Sequence, residues 1–239
     1  MKNLKEKTFV ILVLLMILAI VVMALPVFNI KTVVINGRSK LTEDEVYLDI
    51  FDKDTVNIFT VNTREYEKRL VSYPYVKSAD VYRNLPNELV IDITERKCIG
   101  YAMYGDGIYV HLDSEGVVLD LSNSIEEIHP VFTNLNIKEA VKGQELSTYD
   151  EKVFSKAVSL ANAFKLYDFG DKVININLGD LNDIVITINN IKVLFGSTEE
   201  INTKMTWINA IVNEELTYET AGTLDLRYPE RNPVFSEDM

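Results

Sequence analysis

The 239-residue chain is predicted to be an α+β protein that follows an N-terminal transmembrane helix. Three observations predict this class. No charged residue occurs from position 8 to position 30, short alternating apolar segments predict strands over the remainder, and two later segments repeat apolar residues at helical spacing. The composition, 47% hydrophobic and 25% charged with 10 Gly and 6 Pro, is that of a globular protein, which excludes a disordered or low-complexity chain.

The apolar segment is interpreted as a retained membrane anchor over residues 8–28, preceded by a tail of residues 1–7. A helix of its length rises roughly 30 Å, the thickness of the hydrocarbon core of a bilayer. A cleaved signal peptide ending at Val22-Met23-Ala24 is the alternative. Val22 fits the small-residue cleavage pattern poorly, and the apolar region would be about as long as the upper limit for such peptides, roughly 15 residues. Basic residues flank both ends, so the positive-inside rule favours a cytoplasmic N-terminus only narrowly.

Charge and composition exclude several classes of function. The net charge is −12, whereas nucleic-acid binding requires an excess of Lys and Arg. One Cys and two His can form neither an intramolecular disulfide nor a four-ligand Cys/His zinc site. Phosphate-binding loops, nucleophile elbows, zinc-protease motifs and Ser-x-x-Lys motifs are absent from the sequence. We therefore expect no catalysis, cofactor, metal, nucleic acid or small-molecule substrate.

Four chemically distinctive residues receive structural interpretations. Cys98 is expected to be a small, half-buried apolar residue at the start of a strand. His111 is expected on the surface of a strand, and His129 in a loop with no nearby partner. Trp207 is expected to pack against the core or to be partly exposed.

The first unit, residues 28–96, is predicted to have the order β-α-α-β-β. A first strand ends at the turn Asn36-Gly37. A capping box at Thr42-Glu-Asp-Glu45 then begins a short helix to about position 51. A second helix begins near Asn62-Thr63 and ends before Pro74, because proline disfavours helix in the residue before it. Strands at 76–83 and 88–95 follow, joined by a turn at 84–87.

The second unit, residues 97–239, is predicted to be a mixed β-sheet with two long helices. Hairpins are predicted at 101–112 and 184–195, and a further strand at 117–121. One helix begins near Thr148, and the other carries apolar residues from Ile201 to Leu216 at helical spacing. A last strand, 224–228, precedes Pro229 and a polar tail.

The order and spacing of these motifs resemble a POTRA domain. With a single preceding span and a following β-rich domain, the whole chain resembles the FtsQ/DivIB family of bacterial cell-division proteins. The motifs that carry this resemblance are Val34-x-Asn36-Gly37, Leu41-Thr42-x-x-Glu45-Val46, Pro74-Tyr75-Val76-x-x-Ala79-x-Val81-x-Arg83, Pro86-Asn87-x-Leu89-x-Ile91-x-Ile93-x-Glu95-Arg96 and Leu224-Asp225-Leu226-Arg227-Tyr228.

The resemblance implies a non-enzymatic divisome scaffold that binds FtsL-like and FtsB/DivIC-like single-span partners and helps regulate septal peptidoglycan synthesis. It places residues 31–239 outside the cytoplasm, so that the chain is a single-pass type II protein of the cell membrane at the septum. It also implies a POTRA domain over 29–96, a β domain over 97–228 and a C-terminal tail over 229–239. The alternative is another membrane-anchored POTRA protein that acts as a chaperone or assembly factor by strand addition.

The resemblance further implies that the last strand of the β domain is an edge that pairs with a strand of the FtsB-type partner. An interior core strand is the alternative. A weaker candidate is a recruitment surface at Arg64, Lys68 and Arg69 on the second POTRA helix, for which a merely solvated face is the alternative. The predicted partner-binding residues are Leu224, Asp225, Leu226, Arg227 and Tyr228.

Overall fold

A computed structural model describes most of the chain and divides it into two compact units, Met1–Glu95 and Arg96–Met239. The helix predicted after the capping box at 42–45 lies outside the described residues. The structure describes residues 2–37, 42, 56–105, 107–125, 127–167, 172–212 and 220–238.

The N-terminal helix, α1, spans Lys2–Met23 and is long and apolar enough to cross a membrane. It ends five residues before the predicted end of the span, because Pro26 disfavours helix in Leu25, whose ψ is 145°. A single 3-10 turn at Pro26–Phe28 follows. The last apolar residues of the predicted span therefore lie outside the α-helix.

The first unit continues as a three-stranded sheet with one described helix. Strand β1 is Thr32–Asn36, α2 is Thr63–Val71, β2 is Val76–Asn84 and β3 is Glu88–Glu95. The order is β1-β3-β2, with β1 parallel and β2 antiparallel to β3. The mixed α+β class and these positions agree with the prediction.

The turn after β1 requires glycine. Gly37 has φ of 78°, and a Cβ there would lie 2.1 Å from the carbonyl oxygen of Ile93. The core of this unit forms where Leu70 of α2 packs against Leu89 and Ile91 of β3. Arg83 fixes the turn before α2, since its guanidinium donates to the carbonyl oxygens at positions 58 and 61 at 2.7 and 2.6 Å.

The second unit is built on one nine-stranded sheet and a separate pair of short strands. The strands are β4 Cys98–Tyr104, β5 Ile108–Asp113, β6 Val118–Ser122, β7 Val131–Thr133, β8 Ile137–Glu139, β9 Ser147–Thr148, β10 Val173–Asn177, β11 Ile184–Ile188, β12 Ile191–Gly196, β13 Gly222–Asp225 and β14 Val234–Glu237. The order in the sheet is β14-β13-β12-β11-β10-β7-β4-β5-β6, and β8 pairs separately with β9. The predicted hairpins are β4–β5 and β11–β12, and the short strands β7 to β10 were not predicted.

Two helices pack on this sheet. Helix α3, Glu151–Phe164, begins at Asp150, whose carboxylate accepts the amide of Lys152 at 2.9 Å and so satisfies a free N–H of the first turn. Helix α4, Ile201–Ala210, is the start of the predicted second helix, while 213–219 lie outside the described residues. The apolar faces of both helices and the inward side chains of the nine-stranded sheet form one core.

Candidate partner-binding edge of the sheet

The predicted last strand is observed as β13, and its apolar residues occupy the predicted face. Leu224 and Leu226 are fully buried in the core of the second unit. Leu226 lies just beyond β13 but still donates its amide to the carbonyl of Leu194 at 2.9 Å. One face of β13 is therefore buried in the core, and the pairing with β12 continues to Leu226.

The prediction that residues 224–228 form the edge of the sheet is wrong. Strand β13 lies between β12, to which it is parallel, and β14, to which it is antiparallel. Residues 229–239, predicted as a polar tail, reverse the chain at Pro229 and return Val234–Glu237 along β13. Only Leu224 and Asp225 of the five predicted residues lie within the strand, and Leu226, Arg227 and Tyr228 follow it.

Strand β14 pairs with β13 and also contacts it through the ring of Phe235, which lies against Gly222. Phe235 lies opposite Leu224 in the register and packs, partly buried, against the core. A Cβ on Gly222 would lie 2.5 Å from the carbonyl oxygen of Ser236 and 2.7 Å from the Phe235 ring. Glycine at this position therefore allows the backbone and the ring of β14 to approach β13.

The outer side of β14 presents free backbone groups. Asp238 donates its amide to the carbonyl of Ala221 at 3.1 Å, and these two residues lie opposite each other if the register of β13 and β14 is continued by one position. In an antiparallel ladder bonded and non-bonded pairs alternate, so the backbone groups of Ser236 and Val234 also point toward β13. The N–H and C=O groups of Phe235 and Glu237 then point away from it. No described strand lies beyond β14.

An ion pair fixes the loop after β13. Arg227 donates from Nε to Oδ1 of Asp225 at 3.0 Å and from Nη2 to Oδ2 at 2.6 Å. These hydrogen bonds raise the pKa of Arg227 and hold the pKa of the Asp225 carboxyl below its usual range. The two side chains share a face opposite the buried leucines, as predicted.

Tyr228 lies in the loop between β13 and β14, with two arginines near its ring. Its side chain is 54% exposed, and the guanidinium carbons of Arg227 and Arg231 lie 5.9 and 5.3 Å from its ring centre. The prediction that Tyr228 shares a face with Leu224 and Leu226 is wrong, because the chain leaves the strand after Asp225 and Tyr228 is exposed. It forms an exposed aromatic and cationic cluster with both arginines.

The weaker predicted site on α2 is an exposed, charged helix face. Arg64, Lys68 and Arg69 are all exposed, and Arg69 pairs with Glu65 at 2.5 Å across one helical turn. Glu67 is used differently, since its Oε1 accepts the amide of Val81 in β2 at 3.1 Å. All three basic residues are accessible to solvent, and a recruitment role for them stays a prediction.

Two interpretations of histidine are wrong. His111 is buried rather than on the surface, because Tyr101, its partner across β4–β5, packs edge-on against it at 4.8 Å. Its Nε2 lies 2.9 Å from the hydroxyl of Ser122. His129 has a partner, since its Nε2 lies 3.2 Å from a carboxylate oxygen of Glu127.

The other two interpretations are confirmed. Cys98 is partly buried at the start of β4, and Trp207 is a partly buried residue packed against the core.

The described residues contain no group of three or more His, Cys, Asp or Glu side chains that could hold a metal ion. A cleft of about 710 Å³ beside α3 is lined by Glu151, Lys152 and Phe154 among others, but by neither histidine nor the cysteine. The arrangement of this cleft therefore offers no nucleophile with a histidine base.

Sequence reasoning missed β14, although the sequence holds a weak signal for it. Val234 and Phe235 both favour strands, and Pro229 and Pro233 bracket the preceding segment as prolines often bracket turns. The strand is only four residues long and has a single inward apolar side chain, Phe235, so no alternation stands out from the polar residues around it.

Comparison with known proteins agrees with this architecture. The family model of the FtsQ-type POTRA domain matches residues 28–96. The cell division protein DivIB of Clostridium acetobutylicum is 23% identical over 92% of this chain and 87% of its own length. That of Clostridium botulinum is 27% identical over 98% and 91%. The cell division protein FtsQ of Corynebacterium glutamicum is 23% identical over 86% and 88%. The resemblance is thus confirmed: the chain carries an FtsQ-type POTRA domain, and over most of its length it is similar to cell division proteins named DivIB and FtsQ.

Proposed function

We propose that this protein is a non-enzymatic scaffold of the divisome that binds FtsB/DivIC-like and FtsL-like single-span proteins and helps regulate septal peptidoglycan synthesis. Relatives named cell division proteins, aligned over most of the chain, support the division role. The apolar helix α1 supports anchoring in the cell membrane. In this proposal the N-terminus is cytoplasmic, residues 31–239 are extracytoplasmic, and the protein acts at the septum.

The free outer edge of β14 carries this proposal. Phe235 and Glu237 direct their N–H and C=O groups away from β13, and an added strand would satisfy these groups through main-chain hydrogen bonds. This is a binding mode that requires a partner with an extended segment and no catalytic group. The partner strand lies against β14, one strand further out than the predicted residues 224–228.

The predicted residues support this edge rather than form it. Leu224 and Leu226 hold β13 in the core, and the pair Asp225–Arg227 fixes the loop that leads toward β14. Tyr228 is exposed in the loop that leads from β13 to β14, together with Arg227 and Arg231. Tyrosine and arginine are among the side chains that contribute most to protein interfaces, so we include these residues in the partner site.

Replacing Glu237 by proline tests the proposal. Proline has no N–H, and in Glu237 this group points outward, so Glu237→Pro removes a donor from the partner side while the bonds from β14 to β13 remain. We expect the variant to fold normally but to recover little FtsB/DivIC-like protein when tagged protein is purified from native membranes.

The matched control is Glu237→Ala, which removes the carboxylate but keeps the N–H, and should recover the partner as the unsubstituted protein does. Equal recovery by the proline and alanine variants would overturn strand addition at β14. If the unsubstituted protein recovered neither FtsB/DivIC-like nor FtsL-like proteins, the scaffold role itself would fail.

A further inference from the structure

The segment between the membrane helix and the POTRA domain is hydrogen-bonded to the domain at Phe28 and Ile30. Ile58 donates its amide to the carbonyl of Phe28 at 2.8 Å, and the amide of Ile30 bonds the carbonyl at position 56 at 2.9 Å. Asn57 Nδ2 donates to the carbonyl oxygen of Met23, the last residue of α1, at 3.0 Å. The turn at 57–60 is therefore joined directly to the end of the helix.

The length of α1 sets the depth of this turn in the membrane. The part of α1 that is long and apolar enough on average to cross a membrane, Glu6–Met23, has 18 residues. It rises about 27 Å, slightly less than the hydrocarbon core of roughly 30 Å. The uncharged residues 24–28 that continue it include the 3-10 turn at Pro26–Phe28, and they lie at the boundary between lipid tails and headgroups. Because residues 57–60 are bonded to this segment, they lie at the same boundary.

Exposed apolar side chains cluster at this end of the domain. The Phe59 ring lies 5.1 Å from that of Phe28 and is 36% exposed. Leu85, at the tip of the turn between β2 and β3, is 57% exposed. That turn is at the same end, since the carbonyl of Asn87 accepts the amide of Lys31 at 2.9 Å.

We propose that this end of the POTRA domain is a lipid-binding surface: Phe59 and Leu85 insert among the lipids of the outer leaflet and seat the domain on the membrane. The proposal rests on the membrane anchor of the proposed function. The occupant is lipid, because the surface continues directly from the membrane helix. The hydrogen bond from Asn57 supports this setting, as it satisfies a helix-end carbonyl where water is scarce.

The opposite end of the domain offers a matched control. Val71, the last residue of α2, is 46% exposed and apolar. It lies near the start of β2, where Val76 pairs with Glu95 at the far end of β3 from Glu88. A strand of eight residues separates its ends by about 23 Å, so Val71 is well away from the lipid surface.

Tryptophan fluorescence tests the proposal in the full-length protein. Trp207, the single tryptophan, is replaced by phenylalanine. Phe59→Trp, Leu85→Trp, Val71→Trp and Met16→Trp are then made separately in that background. The proteins are reconstituted in vesicles of phosphatidylcholine and phosphatidylglycerol in equal parts, with a spin label either near the headgroup or near the chain end.

We expect the headgroup-region label to quench most of the emission of Phe59→Trp and Leu85→Trp and little of that of Val71→Trp. Met16→Trp, inside α1, should be quenched by the chain-end label. If Met16→Trp is quenched but Phe59→Trp and Leu85→Trp are quenched no more than Val71→Trp, the lipid surface is refuted and the anchor stands. If Met16→Trp is not quenched, the anchor and the lipid surface both fail.

Discussion

The two outer strands of the nine-stranded sheet differ in what lies against them. At the β6 edge, the amide of Val118 donates to the carbonyl of Gln144 at 2.8 Å, and the amide of Gly143 donates to the carbonyl of Val118 at 2.8 Å. Lys142 adds an ion pair with Asp120 of the same strand. No described segment crosses the β14 edge in this way. The segment around Gly143 thus blocks one edge of the sheet, and the other is left open.

The edge strand β2 of the POTRA domain resembles β6 rather than β14. Its Val81 amide, which would otherwise be free, donates to the carboxylate of Glu67. Exposed strand edges invite unwanted pairing, and proteins commonly cover them with side chains or loops. An open edge at β14 contrasts with the edge at β6, which is covered, and with β2, where Glu67 binds one outward amide. This contrast is consistent with selection for a specific partner, which is why β14 carries the proposed function.

The largest expected loss of stability comes from removing Arg96, which binds the buried Asp113 of β5 next to the covered edge strand β6. Asp113, only 2% exposed at the end of β5, accepts the Arg96 guanidinium at 2.5 Å and the amides of Glu115 and Val117. Arg96→Ala leaves this carboxylate buried without its cation, and should lower the free energy of unfolding by about 3–5 kcal/mol in urea denaturation.

The contrast between the edges predicts that Arg96→Ala keeps its affinity for the partner under conditions where it is folded, because β5 and β14 lie at opposite sides of the sheet. Glu115→Ala is the control. Its carboxylate, 47% exposed, also binds Arg96, and an exposed pair of this kind contributes about 0–1 kcal/mol. Partner binding lost together with stability in Arg96→Ala would show that the two edges are not independent.

A smaller loss of stability, with complete loss of partner binding, is expected for Gly222→Ala. The added methyl group would overlap the Ser236 carbonyl and the Phe235 ring and push β14 off β13. Overpacking of this kind costs about 1–3 kcal/mol. Gly179→Ala is the control, since its nearest neighbour would be 3.3 Å away. Binding unchanged in Gly222→Ala would mean that the partner does not use β14.

The smallest loss of stability is expected at β2 of the POTRA domain, where Glu67 binds the amide of Val81. Glu67→Ala removes the acceptor of the Val81 amide, which should lower the free energy of unfolding by about 1 kcal/mol and speed hydrogen exchange at Val81. Glu67→Gln keeps an acceptor oxygen and should behave nearly as the unsubstituted protein. Neither change should alter partner binding; a loss of binding in Glu67→Ala would place a partner on β2 instead.

Strongly patterned elements could be predicted from the sequence. The strand 88–95 and the hairpin of β11 and β12 have continuous alternation that burial on one face requires, and both lie where expected. The 3-10 turn at Pro26–Phe28 was not foreseen, although Pro26 gave the signal that ends α1. The burial of His111 was also missed, because it depends on Tyr101 across the hairpin and on nothing in its own strand.

The edge of the sheet was predicted one strand away from its observed position. Leu224 and Leu226 were correctly expected on one face, because local alternation determines which side chains are buried. Whether a strand is an edge depends on what pairs with it, and β14 is too short and too polar to be recognised before the fold is known. Local pattern thus predicted the face of the strand but not its place in the sheet.

Amide hydrogen exchange at β14 tests the central claim most directly. Exchange at Phe235, Ser236 and Glu237 is measured with and without the extracytoplasmic segment of the FtsB/DivIC-like partner. The amide of Ser236, already bonded to β13, should be protected in the free protein, whereas those of Phe235 and Glu237 should become protected only in the complex. Protection that fails to increase at Phe235 and Glu237 while the complex forms would contradict strand addition at this edge.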